Sequence, residues 1–155
     1  SPRTLLRFIV TVRHSPHSSE HSLATRAMLI IPLAEMLLEK MQIVQINEKD
    51  VIDTIMLLLE HPLGEQDEET INMARVTKLC SEEWGLWRTV TMNLNKVRTL
   101  ANGYSHLDAE QKNQVTTQVD GALAYIEAAP KSMAWRMRAR VGDRVKWYKD
   151  VDEVD

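Results

Sequence analysis

Apolar residues recur at steps of three and four over most of this chain, and that spacing predicts helices. The densest run is LAEMLLEKMQIVQINEKDVIDTIMLLL, residues 33–59. Leu33, Met36, Leu37, Met41 and Val44 step along one helix, with Leu38 beside the stripe. Val51, Ile52, Ile55, Met56 and Leu59 step along a second. The apolar side of this second helix is too wide for a surface helix, so it should be nearly buried. Asn47 stands at an N-cap position, and Asp50 three residues on can reach back to it as in a capping box.

The same pattern continues downstream. His61-Pro62-Leu63-Gly64 ends the second helix, and Asp67 starts a third, with Glu68 and Glu69 favourable near its positive end. Ile71, Ala74, Val76 and Leu79 form its apolar side. Ser81 is expected to cap a long helix reaching Ala101, in which Trp87, Val90, Leu94, Val97 and Ala101 make a packing seam. Trp84 and Leu86 widen the start of that seam, and Asn102-Gly103 stops the helix. Asp108 and Gln111 open a further helix along Val115, Val119, Ala122 and Ile126, closed by Pro130. A last helix is expected from about Ser132 to Tyr148.

Before residue 32 the pattern changes. Leu5–Val12, LLRFIVTV, is rich in β-branched residues and reads as a strand, and Ala27–Ile31 as a second. Between them lies a polar loop holding His14, His17 and His21. Their spacing fits no structural zinc pattern, and no cysteine stands near, so they read as loop residues. Pro32 suits the first turn of the helix that follows. The expected architecture is therefore mainly α, a bundle of about six helices with a short β element ahead of it. The divisions are 1–31, an unrelated strand-like segment; 32–149, the helical domain; and 150–155, an acidic tail.

Composition narrows this only slightly. The chain has 155 residues, 44% hydrophobic and 26% charged, enough for one domain with a core. A net charge of -3 selects no partner class. The single cysteine, Cys80, cannot form an internal disulfide and reads as a small core residue. No apolar run reaches membrane-spanning length and no signal-peptide pattern is recognisable, so no membrane partner and a cytoplasmic setting are expected.

Candidate chemistry is sparse. There is no Gly-rich phosphate loop, no HExxH and no C-x-x-C. The greasy helix pair does carry Lys40, Asp50 and Asp53. Asp50 and Asp53 are one helical turn apart, where paired carboxylates could hold a divalent metal or act as a base. The plainer account has Asp50 capping, Asp53 pairing with Lys49, and Lys40 extending its stem over apolar surface. A second candidate is the last helix. Arg136, Arg140 and Arg144 fall at four-residue steps, with Lys146 adding charge, and they could bind nucleic-acid phosphates. Met133, Met137, Val141, Val145 and Tyr148 form an apolar stripe beside them. Here the plainer account is a solvated face paired with the chain's many acids, including the VDEVD tail, with Trp135 and Trp147 serving packing.

The run IPLAEMLLEKMQIVQINEKDVIDTIMLLLEH resembles the region just after the catalytic core in nucleotidyltransferase-like proteins of the DNA polymerase β superfamily, in the AbiEii-related branch. Those proteins follow their last core strand with a helix ending in lysine, then a short basic stretch and an aspartate pair. Lys40, Lys49, Asp50 and Asp53 match that order. The runs CSEEWGLWRTVTMNLNKV and PKSMAWRMRARVGDRVKWY are similar to the C-terminal half of such proteins, so the resemblance spans roughly residues 31–149. The family's Gly-Ser turn and Asp-x-Asp strand, which would hold catalytic metal ions, are missing. Residues 1–31 contain no aspartate and one glutamate, Glu20.

The resemblance implies a helical remnant or accessory module, acting by binding or self-association. It implies no nucleotidyl transfer in isolation and no resident cofactor, with magnesium entering only if a catalytic half is supplied elsewhere. The alternative is a small nucleic-acid-binding helical protein using its basic last helix. The expected assembly is a homodimer. The wide apolar faces of the first two helices would otherwise be exposed once the family's sheet is gone.

Overall fold

The computed structural model describes residues 31–149. Within them the chain forms α1 (Leu33–Met41), α2 (Glu48–Glu60), β1 (Leu63–Gly64), β2 (Ile71–Asn72), α3 (Met73–Glu82), α4 (Trp84–Gly103), α5 (Ala109–Ala128) and α6 (Met133–Val141). A 3-10 turn, Gly142–Arg144, follows α6. This is a six-helix bundle with one small two-stranded β element, as the periodicity requires. The strand expected at 5–12 and all but Ile31 of the one expected at 27–31 lie outside the described residues, as do His14, His17 and His21. The β pairing that is seen sits between α2 and α3 and joins Leu63 to Ile71 and Gly64 to Asn72 in parallel.

Helix α4 is the axis of the bundle and touches α1, α2, α3, α5 and α6. Of its expected seam, Val90, Leu94, Val97 and Ala101 are wholly buried and Trp87 only partly, and Thr89 and Asn93 are buried on the same side. Helix α5 lies along it through Val115, Val119, Ala122 and Ile126, all inaccessible to solvent. The two helices are joined at Tyr104–Asp108. Asp108 and Gln111 form the reciprocal capping box expected from their spacing. Helices α1 and α2 close the other side with Ala34, Leu37, Leu38 and Met41 facing Val51, Ile55, Leu57 and Leu58. Met36 and Met56, expected inside, are 40% and 46% exposed. Leu38, Leu57 and Leu58 take the inner places because each helix needs only one side against α4.

One polar group is central to this packing. Asn93, fully buried, donates from Nδ2 to the carbonyls of Met41 at 2.8 Å and Ile43 at 2.7 Å. Those carbonyls end α1 and would have no partner in the turn before α2. Burying them unpaired would cost about 1–3 kcal/mol each. The far end of α2 is handled similarly. Gln118 donates to the carbonyls of Leu58 and His61, and Gln114 to that of Leu59.

Three helix ends differ from expectation. Helix α3 starts at Met73, capped by Asn72, and not at Asp67. Residues 65–70 loop out, with Glu69 at a positive φ of 59°, because buried Ile71 is tied back to the Pro62 carbonyl and Asp67 accepts from Asn72. Ser81 does not cap α4. It lies in the last turn of α3, and extended Glu83 alone separates the two helices. The last helix stops at Val141 and not at Tyr148, since Gly142 takes φ 57°, ψ −141°, a conformation open to glycine and costly for other residues.

Replacing Asn93 with Leu should lower stability by about 3 kcal/mol, since two carbonyls lose their donor in an interior that water does not reach. The exposed change Asn113→Ala should stay within about 0.5 kcal/mol. Urea unfolding midpoints, compared at equal slope, check both.

Candidate functional site

Two of the three residues singled out in the first helix pair meet the third across the helix interface. Lys40, in the last turn of α1, places Nζ 2.9 Å from Asp50 Oδ1 and 3.2 Å from Asp53 Oδ2 on α2. Asn47 does cap α2, accepting from the Asp50 backbone N–H at 2.8 Å. The Asp50 side chain does not reach back to complete a box. It turns to Lys40 instead. Asp53 likewise pairs with Lys40 and not with Lys49, which is exposed and has no ion-pair partner among the described residues.

Burial explains the choice. Asp50 is 6% exposed, so its carboxylate needs a compensating charge close by. Its Oδ2 has no partner among the described residues. The hydrogen bond to Asp50 raises the Lys40 pKa above the ordinary 10.5 of lysine; burial opposes that, and the Asp53 contact adds to it. A divalent cation would have to displace this ammonium from between the two carboxylates. No group of three His, Cys, Asp or Glu stands ready to hold one among the described residues. The pair therefore does not offer the open carboxylate site for a divalent metal that its spacing allowed. What they make is a charged clasp between α1 and α2.

The basic candidate divides into two sets. Arg136 and Arg140 lie on the outward side of α6, exposed. Arg144 ends the 3-10 turn, also exposed, so it leaves the helical row predicted for it. None of the three side chains has an ion-pair or hydrogen-bond partner among the described residues. Lys146 stacks on Tyr148, 4.6 Å from the ring centre. Arg138 turns inward: it donates to the carbonyls of Gly142 at 2.8 Å and Val145 at 2.6 Å, and it lies 4.5 Å over the Trp84 ring.

Aromatic contacts anchor this segment to α4. Trp135 meets Trp87 edge-on at 5.1 Å, and Trp147 meets Trp84 edge-on at 5.7 Å while donating from Nε1 to Thr89. Trp135 and Trp147 thus serve packing, as expected. Arg88 grips Asp143 through two hydrogen bonds and holds its carboxyl below the usual carboxylate range. Asp143, the acid nearest the arginine row in sequence, is therefore already paired. The residues least anticipated are Met133 and Met137, 77% and 62% exposed. Their spacing announced an apolar stripe. That it points outward follows from the two tryptophans and Arg138 occupying the inner side.

Two shallow open grooves of about 440 Å³ each lie elsewhere, one between α3 and the start of α6, one where α2 meets α5. Neither gathers the residues above. Burial pushes the Cys80 thiol up to about 12, against a smaller opposing influence from Lys131. No helix of the described residues is long and apolar enough to cross a membrane. No family model, curated protein or solved structure matches the chain.

Lys40→Met should cost about 2 kcal/mol at neutral pH by leaving Asp50 buried without its cation. A raised lysine pKa stabilises the fold below 10.5, and that contribution is lost as pH rises through the folded value. The gap between the two proteins should therefore narrow on the strongly alkaline side, which urea melts at neutral and alkaline pH would show. Cys80 should resist a thiol-exchange reagent until the protein unfolds, so its labelling rate should track the unfolding rate across urea concentrations.

Proposed function

We propose that this chain is a non-catalytic helical binding module, the helical remnant or accessory part of a nucleotidyltransferase-like protein, working through the outward face of α6 and the turn after it. The observation that carries the reading is the uncovered pairing of Met133, Met137 and Val141 with the unpartnered Arg136 and Arg140. An apolar row left in water beside a basic row is unfavourable for a fold by itself and is what an interaction surface requires. The family part of the proposal rests on Lys40, Lys49, Asp50 and Asp53 standing in the family's order. The clasp of Lys40 on both aspartates supports the non-catalytic part.

The cytoplasm is the proposed setting, where a lone buried thiol stays reduced without a partner. Two copies associate weakly in this reading, through exposed Ile31, Met36 and Met56. The wide faces of α1 and α2 that first suggested a dimer are covered within the chain, so the remaining patch is small. Nucleic acid is the alternative partner of the basic face, through Arg136, Arg140, Arg144 and Lys146.

Incubation with labelled nucleoside triphosphates, magnesium or manganese, and RNA or protein acceptors should give no incorporation. Incorporation that disappears in an Asp50→Ala, Asp53→Ala double variant would overturn the non-catalytic reading. Sedimentation equilibrium at high micromolar concentration should show a dimer fraction, and a strictly monomeric mass would remove self-association.

A further inference from the structure

We infer that the outward face of α6 docks on an anionic lipid bilayer, an assignment of partner class that rests on reading this face as the working surface. Three features select the bilayer. The first is charge. Between residues 131 and 149 stand seven lysines and arginines and one acid, Asp143, followed by the four acids of the 150–155 tail, in a chain that is acidic as a whole. Asp143 is held by Arg88, so it does not offset the arginine row. An anionic surface therefore attracts this end of the molecule and repels the acidic stretch of residues 31–130, which favours one orientation of approach.

The second feature is the shape of what is exposed. Met133, Met137 and Val141 follow one another at four-residue steps, and Arg136 and Arg140 form the adjoining row. Val145, 55% exposed, carries the apolar character past the turn. Apolar groups that enter the acyl boundary with arginines beside them at headgroup level are the arrangement of an interfacial helix. A nucleic-acid backbone would satisfy the arginines and leave the methionines in water.

The third feature is what is already occupied. A partner protein with a groove takes up the apolar face of an amphipathic helix. Here the inner side is fastened by Trp135 on Trp87 and Arg138 on Trp84. Only a convex strip is left, which suits a broad, deformable surface. The chain's own residues 1–30 are poor candidates to cover it, since Arg3, Arg7, Arg13 and Arg26 outnumber Glu20 and would repel the arginine row. Docking of this kind needs no spanning helix.

The test is co-sedimentation of the full chain with vesicles of phosphatidylcholine alone and of phosphatidylcholine mixed with phosphatidylglycerol, with duplex DNA and single-stranded RNA binding measured in parallel. The intact chain should bind the anionic vesicles and not the neutral ones. Changing Arg136, Arg140 and Arg144 together to Gln should lower binding about a hundredfold, at about fivefold per arginine. Changing Met133 and Met137 to Ser, which leaves the charge alone, should lower it at least about tenfold. All five positions are exposed, so the helical signal and urea midpoint should be unchanged in both variants. Anionic-vesicle binding that ignores the methionine changes would overturn the docking mode. Nucleic-acid binding abolished by the arginine changes, with no vesicle binding, would refute the bilayer and keep the face. Binding of neither would refute both.

Discussion

The bundle depends on burying one side of α4 along its whole length. Val90, Leu94, Val97 and Ala101 are shut from solvent only because α1, α2, α3 and α5 all close on the same helix. Most polar groups on a helix that deep must find a partner, although Trp87 Nε1 and Asn93 Oδ1 have none among the described residues. Thr89 does so twice, donating to the Gly85 carbonyl and accepting from Trp147. Asn93 does so by crossing to the end of α1. The position of α1 is thereby fixed by hydrogen bonds as well as by packing, and the turn into α2 inherits that position. The Lys40 clasp then needs only to hold α2 against an α1 that is already placed.

The seam of α4, the stripe of α5 and their capping box were legible in the sequence because each depends on local spacing. The stripe on α1 and α2 was legible in outline only. Met36 and Met56 have the right period for burial but lost the competition for interior space to Leu38, Leu57 and Leu58, and period alone cannot rank such neighbours. The helix starts at Asp67 and Ser81 were misplaced for a related reason. Both residues have the right chemistry for a cap, but Ile71 and Trp84 had to be buried, and satisfying them moved the true starts to Met73 and Trp84. The end of the last helix turned on Gly142, whose φ of 57° is open to any glycine and announced by none.

The candidate sites show a different limit. Lys40, Asp50 and Asp53 were recognisable as a group, but their partnerships were not. Asp53 has Lys49 four residues before it and a helical reason to pair with it. It pairs with Lys40 because that lysine is already drawn to buried Asp50, and a second carboxylate within reach costs it little further ordering. The tertiary contact outranks the local one through burial, and burial is a property of the fold that local spacing does not carry.

The same reasoning separates the arginines of the C-terminal segment, which are equivalent in sequence and opposite in use. Arg138 covers Trp84 and binds the carbonyls of Gly142 and Val145, so it fastens the turn that the glycine opens. That turn sends Trp147 back onto α4, where its indole N–H is met by Thr89. Had the helix run on to Tyr148, Trp147 would have continued outward with it and α4 would have lost this cover. Stopping at Val141 leaves α6 with its inner rows committed to two tryptophans and Arg138, and its outer rows to Met133, Met137, Arg136 and Arg140. A segment needed only as cover would be free to carry polar residues on those outer rows. Met133 and Met137 are 77% and 62% exposed there, so they give the fold little and leave apolar area in water. The docking surface proposed above, which meets an apolar row and a cationic row together, would account for it.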